Sequence, residues 1–456
     1  MKKVDVHISD IINSQRIDVA YFTEKNGVAS FVPLSKYVEI KGGKRIPKGK
    51  SFSQEKTNYL YLRLSEIDES GIINYDALKC ISEDLFNTLQ RYEIKNDQVV
   101  FSIAGTIGKV FVMKDIPADK RIVLTENCAK IQPKTEQVLS DFISILLNCG
   151  FVQKQIERNK IQTTIPKIGL DRIAKLKIPE IPSLDYQKKI ITIYQNAQKA
   201  RLNKNNEAKQ LLDGIEDYIA NKLQLNTIRK RGEKHQPFTL KSTSLFGSRF
   251  DVQFHAGIKD AIRQTEEVPY KALGEIAAFT SEGWNQKSIF NDKFPYIEIS
   301  SINTTVGCIE DISSVSLNDP PSRAKKIVRR DDILISTTRP NRGAICIYDC
   351  DNISIASTGF SVIRETDNCV RKEYLYLALR LSSSLEQMSL RCSGGNYPAI
   401  TESELKKILI PIPSITIQED IIETVAKTRN KARLLQEQGN QLMEEANHKI
   451  ENIILG

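Results

Sequence analysis

Two long stretches of the sequence carry apolar residues at the alternating three- and four-residue spacing of a heptad stripe. Residues 187–225 contain one such stripe, which Arg201 and Lys204 interrupt. Its apolar members are Ile190, Tyr194, Ala197, Ala208, Leu211, Ile215 and Tyr218. Residues 418–455 contain the other stripe, which Arg429 and Gln436 interrupt. Its members are Ile422, Val425, Ala432, Gly439, Met443, Ala446, Ile450 and Ile453. The spacing predicts two helices of about forty residues, each roughly 60 Å long.

The rest of the chain shows short strand patterns mixed with ordinary helical ones. Apolar or alternating runs bounded by Gly, Asn and Pro occur in both halves, as NYLYLRL, QVVFSIAG, GKVFVM, FPYIEIS, DILIST and GAICIY. Residues 138–157 and 371–391 have helical patterns instead. This mixture predicts an α+β domain of about 180 residues in each half, with no strand order specified.

The two halves repeat the same phrases in the same order. Five pairs of similar phrases are each separated by 232 to 235 residues. The pairs are RIDVAYF with RFDVQFH, YLRLSEI with YIEISSI, NDQVVFS with RDDILIS, IPKIGLDRIAKLKIP with YPAITESELKKILIP, and IPEIPSLDYQ with IPIPSITIQ. Five ordered matches predict an internal duplication, and the period is too long for a solenoid repeat. Each copy is therefore expected to be a whole domain with its connecting helix.

The predicted fold class is α+β, with two duplicated domains of mixed α/β structure separated by two long antiparallel helices that form a coiled coil. The predicted limits are 1–183 for the first domain, 184–227 for the central helix, 228–414 for the second domain and 415–456 for the C-terminal helix. Polar residues in the middle of the seam are expected to fix its register. The alternative is that each helix packs only on its own domain.

The order of these phrases resembles the specificity subunit of Type I restriction–modification enzymes. The likeness lies in an Arg-x-Asp phrase, a domain, the phrase IPEIPSLDYQ before a long helix, and the repetition of the whole cycle. SIAGTIGKV at 102–110 is similar to the Gly-rich phrase of that family's target recognition domains. The second copy, STTRPNRGAI at 336–345, keeps the final Gly but not the first, so we expect its loop to have another shape.

The resemblance implies a function as well as a fold. Each domain is expected to be a target recognition domain that reads one part of a split double-stranded DNA sequence. The helices are expected to set the spacing and to dock two methyltransferase subunits, which bind S-adenosylmethionine, whereas this chain binds no cofactor. A restriction and translocase subunit belongs to such systems too. The chain itself is expected to be a non-catalytic, cytoplasmic component of phage defence.

Composition and charge agree with such a role. The 456 residues include 65 basic and 56 acidic ones, and the resulting net charge of +9 favours a polyanionic partner. No apolar run is long enough to span a membrane and no secretory signal opens the chain. Eight scattered cysteines and four histidines are typical of reduced cytosolic thiols rather than of a zinc site.

Candidate DNA-binding residues fall in loops, where the alternative for each cluster is a solvated surface loop. Lys and Arg suit phosphates and guanine, and Asn and Gln suit adenine. In the first half the candidates are Lys41, Lys44, Arg45, Lys48, Lys50, Ser102, Thr106 and Lys109. In the second half they are Trp284, Asn285, Gln286, Lys287, Arg339, Asn341, Arg342, Asn396 and Tyr397, and the basic run 323–330 is suited to phosphates. Unlike compositions at equivalent places are typical of two readers of different half-sites.

Motifs for catalysis are incomplete. GTIGKV at 105–110 is too short for a phosphate-binding loop, and NDPPS at 318–322 lacks the aromatic residue of an adenine methyltransferase phrase. The four histidines assemble no hydrolytic triad. A stand-alone enzyme is therefore disfavoured, and the remaining alternative is a coiled-coil scaffold or adaptor without DNA sequence specificity.

Overall fold

The computed structural model describes residues 31–67, 73–161, 166–225, 239, 252–262, 267–285 and 289–455. Within Met1–Asn203 and Glu437–Gly456 the described residues form one compact unit, and those within Lys204–Gln436 form another. The Arg-x-Asp phrase at 16–22 lies outside the described residues, as does the start of its repeat at 249–251.

Two long helices follow the repeated Pro-Ser phrases, as the heptad spacing predicted. The central helix is Leu184–Lys222 and the C-terminal helix is Ile415–Leu455. The limit between the two units falls within both helices, so each helix contributes residues to both units.

In the first unit the two helices run antiparallel and pack against each other. The Tyr186 hydroxyl donates a hydrogen bond to the Ile453 carbonyl at 3.1 Å. Ile190 and Ile450 are both buried in the core of the unit. Further along the pair, the absence of a side chain at Gly439 leaves room for the backbone and side chain of Arg201. Arg201 is one of the residues that interrupt the predicted stripe.

In the second unit the pairing has the same sense. Lys222 forms an ion pair with Asp420 at 2.6 Å. Ala208, Ala432 and Leu435 form a small buried cluster between the helices. The antiparallel helix pairing of the predicted fold class is thus present within each unit. Both helices also pack on the domain cores, but their contacts with each other contradict the alternative that each helix packs only on its own domain.

The first unit contains two four-stranded sheets, in the orders β2-β9-β6-β7 and β4-β3-β8-β5, and a two-stranded β1-β10 ladder. The pairing of β3 with β8 is parallel and the others are antiparallel. The strands are β1 (Val32–Pro33), β2 (Val38–Gly42), β3 (Tyr59–Leu62), β4 (Lys79–Cys80), β5 (Glu93–Ile94), β6 (Val99–Ser102), β7 (Val110–Val112), β8 (Arg121–Leu124), β9 (Cys128–Pro133) and β10 (Lys177–Ile178). The shorter helices are α1 (Glu83–Leu89), α2 (Ser140–Asn148), α3 (Gly150–Asn159) and α4 (Leu170–Ala174).

The second unit repeats this topology with the sheets β12-β21-β18-β19 and β16-β13-β20-β17 and the ladder β11-β22, and it adds a β14-β15 ladder. The strands are β11 (Tyr270–Ala272), β12 (Ala277–Phe279), β13 (Lys293–Ile297), β14 (Ile302–Asn303), β15 (Cys308–Ile309), β16 (Ser313–Ser316), β17 (Ala324–Val328), β18 (Ile333–Ser336), β19 (Ile345–Ile347), β20 (Ser354–Ser357), β21 (Phe360–Thr366) and β22 (Leu409–Pro411). The shorter helices are α5 (Val252–Ala261), α6 (Leu273–Ile276), α7 (Lys372–Leu379), α8 (Ser382–Leu390) and α9 (Glu402–Leu405). The shared strand order confirms the duplication.

The strand that precedes the Gly-rich phrase is buried on both faces, which explains its continuous apolar run. In β6, Val99 and Phe101 face the helices, while Val100 faces the core of the second sheet. In β18, Ile333 and Leu334 divide between two cores in the same way. Each strand therefore fixes the start of the loop that follows it.

Candidate nucleic-acid interface

The Gly-rich phrase of the first unit forms a closed turn between β6 and β7, here called glycine loop 1 (residues 103–109). The Ser102 hydroxyl donates to the Thr106 carbonyl at 2.6 Å and accepts from the Lys109 N–H at 2.8 Å. Gly105 and Gly108 have φ of 75° and 87°, values that favour glycine. Thr106 and Lys109 are exposed, whereas Ser102 is fully buried. The Ser102 side chain therefore shapes the loop from beneath, and its contact with DNA stays an untested prediction.

Glycine loop 1 is joined to a segment that precedes α4, here called partner segment 1 (residues 160–168). The Gly105 N–H donates to the Pro166 carbonyl at 3.2 Å, and the Ile168 N–H donates to the Ile103 carbonyl at 3.0 Å. Partner segment 1 also bridges to itself between Ile161 and Lys167. Residues 162–165 lie outside the described residues. The loop is therefore held by strands at its base and by a second segment at its side.

The second unit builds the same arrangement with different residues. Glycine loop 2 (residues 337–344) follows β18, and partner segment 2 is residues 392–400. The Ser336 hydroxyl donates to the Thr338 carbonyl at 2.8 Å, and the Arg339 N–H donates to the Pro398 carbonyl at 2.8 Å. Arg339 takes the place of Gly105, and its φ of 48° is left-handed as well.

The expectation that glycine loop 2 has another shape holds only in part, because the loop is longer but keeps the left-handed backbone at the position of the first glycine. The left-handed backbone persists although glycine has been lost, because Arg339 is bonded to partner segment 2 as Gly105 is to partner segment 1. The loop is one residue longer and contains a 3-10 turn over Pro340–Arg342. The duplicated scaffold thus presents unlike side chains.

Five of the predicted residues come together on glycine loop 2 and partner segment 2. The Arg339 guanidinium stacks over the Tyr397 ring at 4.5 Å, and its Nη2 donates to the Asn396 carbonyl at 2.9 Å. Tyr397 is 71% exposed. Asn341 and Arg342 are exposed in the adjacent turn. This surface combines cationic, amide and aromatic groups, which suits contacts with base edges and phosphates.

The basic loop at 41–50 is anchored where it begins. The Gly43 N–H donates to the Cys128 carbonyl at 2.8 Å, and a Cβ at Gly43 would lie 2.0 Å from the Thr125 carbonyl oxygen. Arg45 binds the Glu126 carboxylate at 2.5 Å with its side chain 80% exposed. The remaining basic residues are exposed, and one of them pairs with Glu39: Lys41, Lys44, Lys48 and Lys50.

The pKa values of Glu126 and Tyr61 reflect the contacts that anchor this loop. Burial raises the pKa of Glu126, but hydrogen bonds led by that from Arg45 outweigh it and bring the pKa below its ordinary value. Burial raises the pKa of Tyr61 to about 12, and its neutral hydroxyl donates to the Lys44 carbonyl at 2.8 Å. A carboxylate and a phenol thus hold the loop whose basic side chains point outward.

At the equivalent place in the second unit, Trp284 is a core residue. Its ring lies 4.5 Å from that of Phe294, and the side chain is 4% exposed. The Trp284 ring therefore serves the core of this unit, and its contact with DNA stays an untested prediction. Asn285 is exposed, whereas Gln286 and Lys287 lie outside the described residues.

An ion cluster holds the segment that carries Asn285. Glu282 binds Arg329 at 2.5 Å and also binds Arg364, and Arg364 binds Asp332 at 2.8 Å. Hydrogen bonds from Arg329 and Arg364 lower the pKa of Glu282 to about 2. The basic run 323–330 is therefore partly committed to the fold: Arg329 joins the cluster, and Arg330 pairs with Asp351. Its exposed Arg323 and Lys325 remain suited to phosphates.

Two side chains that the sequence analysis did not identify tether the glycine loops. Gln153 donates from Nε2 to the Gly108 carbonyl at 3.0 Å. Arg380 donates from Nη1 to the Gly343 carbonyl at 2.9 Å and from Nη2 to the Thr304 and Thr305 carbonyls. Because these contacts join distant parts of the chain, no local sequence pattern marks them.

The described residues give no indication of a membrane span or of a metal site. Among the described helices, none combines the length and apolar character needed to cross a membrane. The described residues contain no group of three His, Cys, Asp or Glu placed to hold a metal ion. All eight cysteines are free thiols.

Comparisons with known proteins place this arrangement in a family. A family model described as the Type I restriction modification DNA specificity domain matches residues 30–212 and again 265–444. The Type I restriction enzyme HindI specificity subunit of Haemophilus influenzae is 29% identical over 164 residues, which cover 35% of this chain and 32% of that protein. The match thus spans about a third of that relative's length.

Solved structures of similar overall length also match. The S subunit of a Type I restriction–modification system from M. genitalium has a TM-score of 0.39 at 16% identity and covers 94% of this chain and 98% of its own. A chain from a structure on the assembly and conformational transition of the type I R-M system has a TM-score of 0.49 at 14% identity and covers 93% and 96%.

Proposed function

This chain belongs to the Type I restriction–modification DNA specificity family, and from that premise we propose that it is the subunit that reads a bipartite, asymmetric double-stranded DNA target. The observation that carries the proposal is the duplicated loop scaffold with unlike side chains. Glycine loop 1 presents Thr106 and Lys109, whereas glycine loop 2 presents Arg339, Asn341 and Arg342. Two copies that read the same sequence would have kept these side chains alike.

In the proposed mechanism, phosphate contacts set the position and base contacts select the sequence. The exposed Lys44, Lys48 and Lys50 are suited to phosphates, because long cationic side chains there gain from the release of counterions. The surface of glycine loop 2 and partner segment 2 is suited to base edges in the second half-site, because its arginine and amide groups can form paired hydrogen bonds.

We further propose that the helix pair fixes the length of the unread spacer. The central and C-terminal helices each run from one unit into the other, and within each unit they pack side by side. A helix keeps its length to within small bending, so two paired helices suit a fixed separation.

The proposed partners are two methyltransferase subunits, which supply the chemistry with S-adenosylmethionine, and restriction and translocase subunits in a cleaving complex. This chain is proposed to be non-catalytic. The curated relative is itself named a specificity subunit of a restriction enzyme, which supports such an assembly.

Co-expression with candidate methyltransferase subunits, followed by mapping of methylated adenines, tests the proposal. We expect methylation at one bipartite, asymmetric sequence with a constant spacer. Replacing Arg339 and Arg342 with Ala should change one half of that sequence. Methylation whose target is unaffected by these changes and by Ala substitutions in the 41–50 loop would instead indicate the adaptor.

A further inference from the structure

Building on the proposed function, we propose that Arg339 is a specificity-determining residue that reads a guanine in the half-site of the second domain. The first observation is a substitution between the copies at one backbone position. Gly105 occupies it in glycine loop 1 with φ of 75°, and Arg339 occupies it in glycine loop 2 with φ of 48°. The scaffold tolerates glycine here, so the fold itself does not require an arginine.

The arginine is kept at this position against a backbone preference. A side chain at a left-handed position costs about 1–2 kcal/mol relative to the usual backbone regions, a cost that glycine avoids. The conformation is imposed by two hydrogen bonds, from the Arg339 N–H to Pro398 and from the Arg342 N–H to the Arg339 carbonyl. The Arg339 side chain lies outside the hydrophobic cores, and its contacts within the fold are with Tyr397 and Asn396 at the surface.

The guanidinium is already oriented. It stacks over the Tyr397 ring at 4.5 Å and donates one hydrogen bond, of 2.9 Å, to the Asn396 carbonyl. Among the described residues no other group accepts from it, so the rest of its N–H donors stay available for a ligand. Because the plane is fixed in advance, little conformational entropy is lost when a ligand binds.

A guanidinium held in one orientation, with its N–H donors side by side, matches guanine better than the other three bases. Guanine presents the O6 and N7 acceptors side by side in the major groove, whereas adenine places a donor beside N7. A phosphate also accepts hydrogen bonds from arginine but carries no base identity, so only a guanine contact would make Arg339 select a sequence. Discrimination by one such contact amounts to about 5- to 150-fold in affinity, which corresponds to about 1–3 kcal/mol.

The test begins with selection of duplexes from a random library by the full-length chain. Wild type should select a bipartite sequence with an invariant guanine in one half. Arg339→Gly should lose 5- to 150-fold preference at that position alone. Arg339→Lys should lose it as well while keeping the salt dependence of binding. The control Arg342→Ala should weaken binding without relaxing that position.

A chemical probe and a stability measurement complete the design. Replacing the selected guanine with 7-deazaguanine, which lacks the N7 acceptor, should weaken wild type but leave Arg339→Gly unaffected. The thermal midpoint of Arg339→Gly should stay close to that of wild type, because relief of the backbone cost offsets the lost contacts with Tyr397 and Asn396.

The outcomes separate the two proposals. A wild type that selects no sequence overturns the proposed function together with this inference. A wild type that selects a bipartite sequence, beside an Arg339→Gly variant that keeps every preference, overturns the assignment of Arg339 alone. A uniform loss across all positions, with equal sensitivity to 7-deazaguanine, would make Arg339 a phosphate contact and also overturn it.

Discussion

At the scale of single residues, the glutamine that ends each repeated Pro-Ser phrase connects a long helix to its domain. Gln187 is buried; it accepts from the Leu139 N–H at 2.9 Å and donates to two carbonyls. Gln418 is buried as well; it accepts from the Arg371 N–H at 2.8 Å and donates to two carbonyls. Each amide thus satisfies three backbone groups that water cannot reach, which explains why both copies contain it.

We expect Gln187→Met and Gln418→Met each to lower the free energy of unfolding by about 2–4 kcal/mol. The substitution keeps the volume but leaves one N–H and two carbonyls buried without partners. Urea unfolding followed by circular dichroism measures the change. Gln441→Met, at an exposed position of the C-terminal helix, is the control and should stay within about 0.5 kcal/mol of wild type. Equal effects at buried and exposed sites would contradict this explanation.

The Glu282 carboxylate should make the stability of the protein depend on pH. Its pKa in the fold is about 2, below the ordinary value of 4.5, so the folded state favours the carboxylate. Its contribution to stability is therefore fully present above pH 4.5 and is lost as the pH falls towards 2. Glu282→Gln should be less stable than wild type at pH 7, and the difference should shrink over that window. A difference that does not change with pH, measured by urea unfolding, would show that the ion cluster is not responsible.

At the scale of elements, each glycine loop is tethered to the helices that follow its sheet, and the two copies do this with different side chains. In unit 1, Gln153 of α3 holds the Gly108 carbonyl. In unit 2, Arg380, which directly follows α7, holds the Gly343 carbonyl and two carbonyls of the 303–307 turn. The position of each loop therefore depends on its own helix pair.

We expect Arg380→Met to relax sequence preference in one half-site and Gln153→Met to relax it in the other. Each variant serves as the control for the other, because each substituted side chain contacts the glycine loop of its own unit. Selection from a random duplex library measures preference at every position. Loss of preference in both half-sites from a single substitution would mean that the tethers act on the chain as a whole.

The features that the sequence predicted are those carried by linear patterns. Heptad spacing identified both long helices, and repeated phrases identified the duplication. Linear patterns did not predict which of the candidate residues are buried. Ser102 and Trp284 are polar or amphipathic residues in loop-like phrases, yet contacts with Thr106 and Phe294 cover them. The left-handed backbone of Arg339 was also missed, because it is imposed by a hydrogen bond to Pro398, distant in sequence.

At the scale of the whole molecule, the consequence of the proposed function is that helix length should set spacer length. The limit between the units falls between Asn203 and Lys204 in one helix and between Gln436 and Glu437 in the other. Seven residues inserted at both places add two helical turns, or about 10 Å, while leaving the contacts within each unit in register. Since base pairs are about 3.4 Å apart, the tolerated spacer should lengthen by about three base pairs.

Both half-sites should stay the same in that variant, because none of the loops is altered. The matched control replaces seven residues at each place with the inserted sequence and keeps the helix lengths, and it should keep the original spacer. Methylation mapping of the variants co-expressed with methyltransferase subunits gives sequence and spacing in one measurement. A lengthened protein that still methylates only the original spacing would refute the role of the helices as a ruler, while the unchanged half-sites would preserve the role of the loops in reading bases.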